Sequence, residues 1–129
     1  MAKSLLDFVK EARQNIEEIT IDDFEEMVED EPDLMILDIR EESEFASGHI
    51  ENSVLVPRGT LEGAADPHYK KRHPELCQAR TRPIVVYCAT GGRSAMAVAT
   101  LQQMGFERVY NLMGGFELWE AEDNPVIKN

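Results

Sequence analysis

The sequence predicts an α/β fold in three layers: a mainly parallel central sheet of about five strands flanked by helices. Three observations predict it. LMILDI (34–39), SVLVP (53–57), RPIVVY (82–87) and ERVYNL (107–112) are short apolar runs, rich in β-branched residues and bounded by charged or turn residues. They run continuously instead of alternating with polar residues, the pattern of strands covered on both faces in a parallel sheet. Between them lie stretches with helical spacing, and such strand–helix alternation implies right-handed crossovers.

Taken in chain order, Leu5, Leu6, Phe8, Val9, Ala12, Ile16 and Ile19 recur at helical spacing. Residues 1–18 therefore read as an N-terminal amphipathic helix packed on a domain formed by residues 19–129. Thr20 with Asp23 resembles a helix cap and first turn, which would turn Phe24, Met27 and Val28 inward. After the first strand, EESEFASG (41–48) reads as a short helix. The polar stretch 58–83 is a long connection with a helical segment over 68–78, and connections of that length often carry function. RSAMAVATLQQMG (93–105) is a helix, and FELWEAED (116–123) closes the chain as another, with Phe116, Leu118 and Trp119 as core contacts. No repeat or low-complexity tract interrupts this order.

Composition narrows the function. A chain of 129 residues with 43% hydrophobic content can bury one core. Its formal net charge of −12 argues against nucleic acid and anionic membrane surfaces, which would repel it. No apolar run approaches the roughly 20 residues of a membrane span, and MAKSLLDFVK has neither the apolar core nor the cleavage site of a signal peptide, so the chain reads as cytoplasmic. Charge is unevenly spread: residues 17–44 hold fourteen of the 25 acids against the single base Arg40. Residues 57–82 hold Arg58, Lys70, Lys71, Arg72, Arg80 and Arg82, which either line the approach to an anionic substrate or form a solvated loop. Cys77 and Cys88 have no CxxC spacing and no histidine cluster beside them, so neither a metal nor a disulfide framework is expected.

Cys88 stands apart. In VVYCATGGRS (85–94) an apolar strand ends in a thiol, followed by small residues and then by the start of a helix. Ligands of parallel α/β sheets bind beyond the carboxyl ends of the strands. Ala89, Thr90, Gly91 and Gly92 allow the backbone to curl and aim successive N–H groups at one point. The helix opened by Arg93 and Ser94 adds its positive end. A thiol at that point is stabilised as the nucleophilic thiolate.

These residues carry a family resemblance. CATGGRS resembles the active-site loop of single-domain rhodaneses, which reads Cys-x-x-Gly-x-Arg-Ser or close to it. LDIREESEFASGHIENSVLVPRG is similar to that family's first signature, matched at Asp38, Arg40, Glu44, Phe45, Gly48, His49 and Ile50, and NLMGGFELWEAEDNPV resembles its C-terminal signature. The resemblance implies a rhodanese-like fold and a sulfurtransferase without cofactor or metal. Cys88 would take the outer sulfur of thiosulfate or of a persulfide donor and hold it as a persulfide until a thiol, cyanide or an acceptor protein removes it. Family loops often carry a basic or amide side chain after the cysteine, where this chain has Ala89 and Thr90, which turns attention to persulfide donors.

The remaining candidates are supporting residues. Asp38 is positioned to bond the loop or Arg40, and Glu44 suits the planar fork of Arg93. His49 is read as tying down a turn instead of acting as a base. Arg58 resembles an arginine of a Pro-Arg-Gly subgroup and would face the mouth of the pocket. Two rivals stay open: an idle rhodanese-like interaction module, and a phosphatase or arsenate reductase. The latter enzymes use Cys-x5-Arg, whereas Cys88 and Arg93 are spaced Cys-x4-Arg, a smaller ring suited to one added sulfur.

Overall fold

The computed structural model describes residues 1–128. Its elements are α1 (Leu5–Arg13), β1 (Glu17–Ile19), α2 (Ile21–Asp30), β2 (Met35–Asp38), α3 (Glu42–Ser47), β3 (Ser53–Leu55), α4 (Leu61–Ala65), β4 (Pro83–Tyr87), α5 (Gly92–Gln103), β5 (Arg108–Leu112) and α6 (Gly115–Ala121). Short 3-10 turns occupy Arg58–Thr60 and Leu76–Gln78.

All five strands form one sheet in the order β1-β5-β4-β2-β3, and every pairing is parallel. Every residue of β2 and β4 is buried. Successive residues of these strands enter opposite cores: Leu37 and Val86 pack with Leu61, Val98 and Leu101 on one face, while Ile36 and Val85 pack with Phe24, Phe116 and Trp119 on the other. Continuous apolar runs thus serve two helical layers at once, as expected. Pro83 is accommodated as the first residue of its strand.

The N-terminal segment differs from the expectation of one helix over 1–18. A capping box between Ser4 and Asp7 starts α1, which ends at Arg13, and Glu17–Ile19 form an edge strand on β5. Val9 alone is buried in α1, while Leu5, Leu6 and Phe8 are at least half exposed. Val28 and Leu118, also expected inside, are exposed. The capping box of α2 forms as the Thr20–Asp23 pattern predicts. Within the long connection, α4 buries Leu61, Ala64 and Ala65. The helix expected over 68–78 shrinks to the 76–78 turn, because His73 accepts the Glu75 and Leu76 N–H groups through Nδ1 and Pro74 withholds a donor.

Candidate active site

β4 lies at the centre of the sheet, so the residue that leaves its carboxyl end is flanked by neighbours on both sides. That residue is Cys88, 1% exposed. The chain then turns through Ala89 and Thr90 to Gly91, whose φ of 107° lies in the left-handed region, where glycine carries no steric penalty. This turn aims the Gly91 N–H at Cys88 Sγ over 3.1 Å and the Ser94 N–H over 3.3 Å. Ser94 Oγ lies 3.3 Å from the same sulfur. Helix α5 has no side-chain cap of its own; the sulfur takes that place, accepting N–H groups that a helix start otherwise leaves unpaired. Of the loop residues expected to aim N–H groups at the sulfur, Gly91 and Ser94 do so, whereas Ala89, Thr90, Gly92 and Arg93 do not.

On one side of β4, the loop is held by charge. Arg93 donates both terminal nitrogens to the two carboxylate oxygens of Glu44, at 2.9 and 3.0 Å. This hydrogen-bonded partner, only partly opposed by burial, holds the Glu44 carboxyl down at about 2 and raises Arg93. Beneath them, Asp38 and Arg40 form a buried pair at 2.7 Å. Arg40 also donates to Gly48 O at 2.7 Å and packs over the Phe116 ring. Burial opposes its charge, but the Asp38 hydrogen bond and charge outweigh it and raise Arg40. The pair therefore ties the end of β2 to α3 and α6. His49 stacks on Phe45, and its Nδ1 lies 3.0 Å from Phe45 O, so Nδ1 carries the proton. Its backbone bridges Ile127. Tyr87 donates to Ser53 Oγ and accepts the Ile50 N–H; burial pushes its phenol up.

On the other side, the loop is held by residues that sequence reasoning missed. Asn111 in β5 is fully buried and receives the Ser94 hydroxyl. It donates to Gly91 O at 3.1 Å and to Glu18 of β1 at 2.9 Å. No local pattern in the strand Arg108–Leu112 marks it. From α6, the N–H groups of Phe116 and Glu117 donate to Cys88 O and Ala89 O at 2.8 and 2.9 Å. Gly115, at φ 58°, makes that approach possible.

Some expected residues lie elsewhere. Arg58 bonds Glu62 and Thr100, which places its guanidinium more than two turns along α5 from the loop. Lys71 and Arg72 line a cavity of about 860 Å³ with Tyr69 and His73, and no residue of the Cys88 loop borders it. Arg80 is engaged with the carbonyls of Met104, Cys77 and Ala65. Cys77 is a buried free thiol directed at Pro74 O. The cleft that Ala89 borders, about 420 Å³, is lined by Arg40, Glu44, Phe116, Glu117 and Glu120. Among the described residues no cluster of His, Cys, Asp or Glu could hold a metal ion, and no helix is long and apolar enough to cross a membrane.

A parallel sheet whose central strand delivers a cysteine into a helix-capping loop defines a class, and the family comparison agrees with it: residues 20–122 match the rhodanese-like domain. The chain belongs to the rhodanese-like family. Among its relatives, a sulfurtransferase of Allochromatium vinosum is 30% identical over 112 residues, covering 87% of this chain and 95% of that protein. YrkF of Bacillus subtilis, named as a candidate sulfur carrier protein, is 34% identical over 112 residues; the match covers 87% of this chain but only 55% of that protein. A solved structure from Rhodopseudomonas palustris superposes with a TM-score of 0.89 at 32% identity, covering 98% of this chain and 96% of that one. It is described as a protein of unknown function and possible tyrosine phosphatase.

Proposed function

We propose that the protein is a sulfurtransferase that carries sulfur as a persulfide on Cys88. The observation that carries the reading is the sulfur's position as the cap of α5, where the Gly91 and Ser94 N–H groups converge on it. These donors meet the negative charge that develops on the sulfur when it acts as nucleophile or leaving group. The thiolate attacks the outer sulfur of a donor R–S–SH; the new S–S bond forms as the donor's own S–S bond breaks, and the leaving thiolate takes the electron pair. Thiosulfate would leave sulfite by the same step. An acceptor thiolate or cyanide then attacks the outer sulfur, and Cys88 leaves as thiolate.

Donor preference follows from the cleft beside Ala89. Asp38 with Arg40 and Glu44 with Arg93 are paired, which leaves Glu117 and Glu120 as its uncompensated charges. A thiosulfate dianion entering there meets like charge, whereas a thiol persulfide carries less. Thiol persulfides, free or on a protein, are therefore the proposed donors, and the cytoplasm, where thiols stay reduced, is the proposed compartment.

The phosphatase description of the Rhodopseudomonas palustris structure raises a second reading. A phosphate-binding loop needs its arginine fork free for the substrate oxygens, and both terminal nitrogens of Arg93 are spent on Glu44. This weighs for sulfur. The test is intact-mass measurement after incubation with thiosulfate and, separately, with cysteamine persulfide, whose ammonium offsets the charge on its sulfur. One added sulfur atom is expected, faster from the persulfide, absent in Cys88→Ser and retained in Cys77→Ser. No gain from either donor, or loss of the gain in Cys77→Ser alone, would overturn the proposal.

A further inference from the structure

Ser94 has one hydroxyl hydrogen and two acceptors within reach, Cys88 Sγ and Asn111 Oδ1. Which of them receives it is decided by Asn111. The Nδ2 of Asn111 faces the Glu18 carboxylate and the Gly91 carbonyl, groups that can only accept, so both of its hydrogens are committed. A flipped amide would aim an oxygen at two acceptors. Oδ1 must therefore face Ser94, and as an oxygen it can only accept the Ser94 proton. Ser94 Oγ then presents a lone pair to Cys88. In the thiol state the Cys88 S–H donates to it, completing a chain from sulfur through hydroxyl to amide. In the thiolate state the same lone pair opposes an anion 3.3 Å away, unless the hydroxyl rotates from Asn111 to the sulfur.

We propose that the Ser94 hydroxyl is a two-position switch for the charge on Cys88, and that Asn111, oriented by Glu18 and the Gly91 carbonyl, is the positioning residue that sets its resting state. The inference rests on the persulfide reading and deepens it. When an acceptor removes the outer sulfur, negative charge develops on Sγ, and the hydroxyl turns to meet it. When Cys88 bears a persulfide, Sγ is neutral and the hydroxyl returns to Asn111. The stabilisation is thus given to the leaving thiolate and withheld from the loaded ground state, which is what accelerates a step.

The charged and titratable groups on the elements around the loop are the pairs Glu44–Arg93, Asp38–Arg40 and Glu18–Arg13, with Tyr87, Glu117 and Glu120. None is itself substituted in the following test, and Glu18, which loses the Asn111 amide, loses it alike in both Asn111→Leu backgrounds, so the cycle cancels that effect. Removing Asn111 also leaves few orphans, because Gly91 O keeps the Ala95 N–H and Glu18 keeps Arg13.

The test is a double-mutant cycle on the rate of iodoacetamide alkylation against pH, in a Cys77→Ser background. Asn111→Leu removes the competing acceptor and frees the hydroxyl for sulfur. The pH of half-maximal alkylation should fall by about one unit, a tenfold gain in thiolate. In a Ser94→Ala background, Asn111→Leu should leave that pH unchanged. If Asn111 merely braces the loop, its loss acts alike in both backgrounds, and an equal effect in the two, or a rise in Asn111→Leu, overturns the switch. Asn111→Ala removes the same acceptor and serves the cycle if the leucine variant fails to fold. Alkylation requires no sulfur donor, so this outcome stands apart from the wild-type persulfide measurement that tests the function itself.

Discussion

Substituting Gly115 by alanine should damage the sulfur loop from outside it. A Cβ at this position would stand 2.5 Å from Cys88 O and 2.7 Å from Ala89 O, well inside contact distance for carbon and oxygen. Both obstacles are backbone, so no side chain can rotate away. Those carbonyls also accept the Phe116 and Glu117 N–H groups at 2.8 and 2.9 Å, and relieving the clash lengthens both bonds. Left-handed backbone at φ 58° costs a non-glycine residue about 1 kcal/mol, and two weakened hydrogen bonds cost about 1 kcal/mol each. The sum, roughly 3 kcal/mol, lowers the melting temperature by about 10 °C for a domain of this size. Gly59→Ala is the control, since nothing lies within 4 Å of its Cβ position, and it should change stability by less than about 0.5 kcal/mol. Melting is followed by circular dichroism and persulfide loading by intact mass at a temperature where both variants are folded. Loading should fall about tenfold in Gly115→Ala, because moving Cys88 shifts Sγ against N–H donors whose bonds depend on sub-ångström placement. Melting and loading both at wild-type values would refute the reasoning.

Two further substitutions separate the ion pairs of the site. Glu44 is held down at about 2 by its hydrogen bond to Arg93, below its unfolded value of 4.5, so the pair's contribution is fully present above about pH 4.5 and is lost as pH falls toward 2. The two side chains are 33% and 37% exposed, which screens the pair to about 1 kcal/mol. Urea unfolding should show Glu44→Gln less stable by that amount from pH 7 to 5, with the gap closing below; a gap that widens on acidification would contradict this. Asp38→Asn leaves Arg40, its side chain 5% exposed, without its carboxylate, and should cost about 3–5 kcal/mol. A loss under about 1 kcal/mol in the same titration would show that Gly48 O and the Phe116 ring suffice for Arg40.

The elements readable in advance are those whose residues state their own environment. Cys88, Gly91, Gly92 and Ser94 form a strand end, a turn and a helix start in consecutive positions, so local geometry already implies the nest. Glu44 and Arg93 were legible as chemistry, because a carboxylate and a guanidinium fork match wherever the chain brings them. β1 was not legible: Glu17-Glu18-Ile19 is three residues long, mostly charged, and becomes a strand only because β5 offers an open edge. α1 misled in the other direction. Its apolar residues repeat as a buried face would, yet α5 covers little beyond Val9, and Leu5, Leu6 and Phe8 stay exposed. Asn111 carried no pattern of its own. Its role exists only because β1 and α5 deliver Glu18, Gly91 and Ser94 to one buried amide.

The strand order explains why the two sides of the site differ in kind. β2, on one side of β4, ends in Asp38 and leads to Arg40 and Glu44, so that flank fixes Arg93 by ion pairs. β5, on the other, carries Asn111 one residue before its end and fixes Ser94 and Gly91 by hydrogen bonds of a neutral amide. Charge therefore places the arginine, while short dipolar contacts set the state of the sulfur. The division suits a chain with a net charge of −12. At physiological salt, exposed acids farther than about 8 Å are largely screened. N–H donors 3.1 and 3.3 Å from Sγ are not. In the proposed mechanism the sulfur anion is governed by what touches it, and the proposed donor meets the acidity of the chain at the cleft lined by Ala89, Glu117 and Glu120.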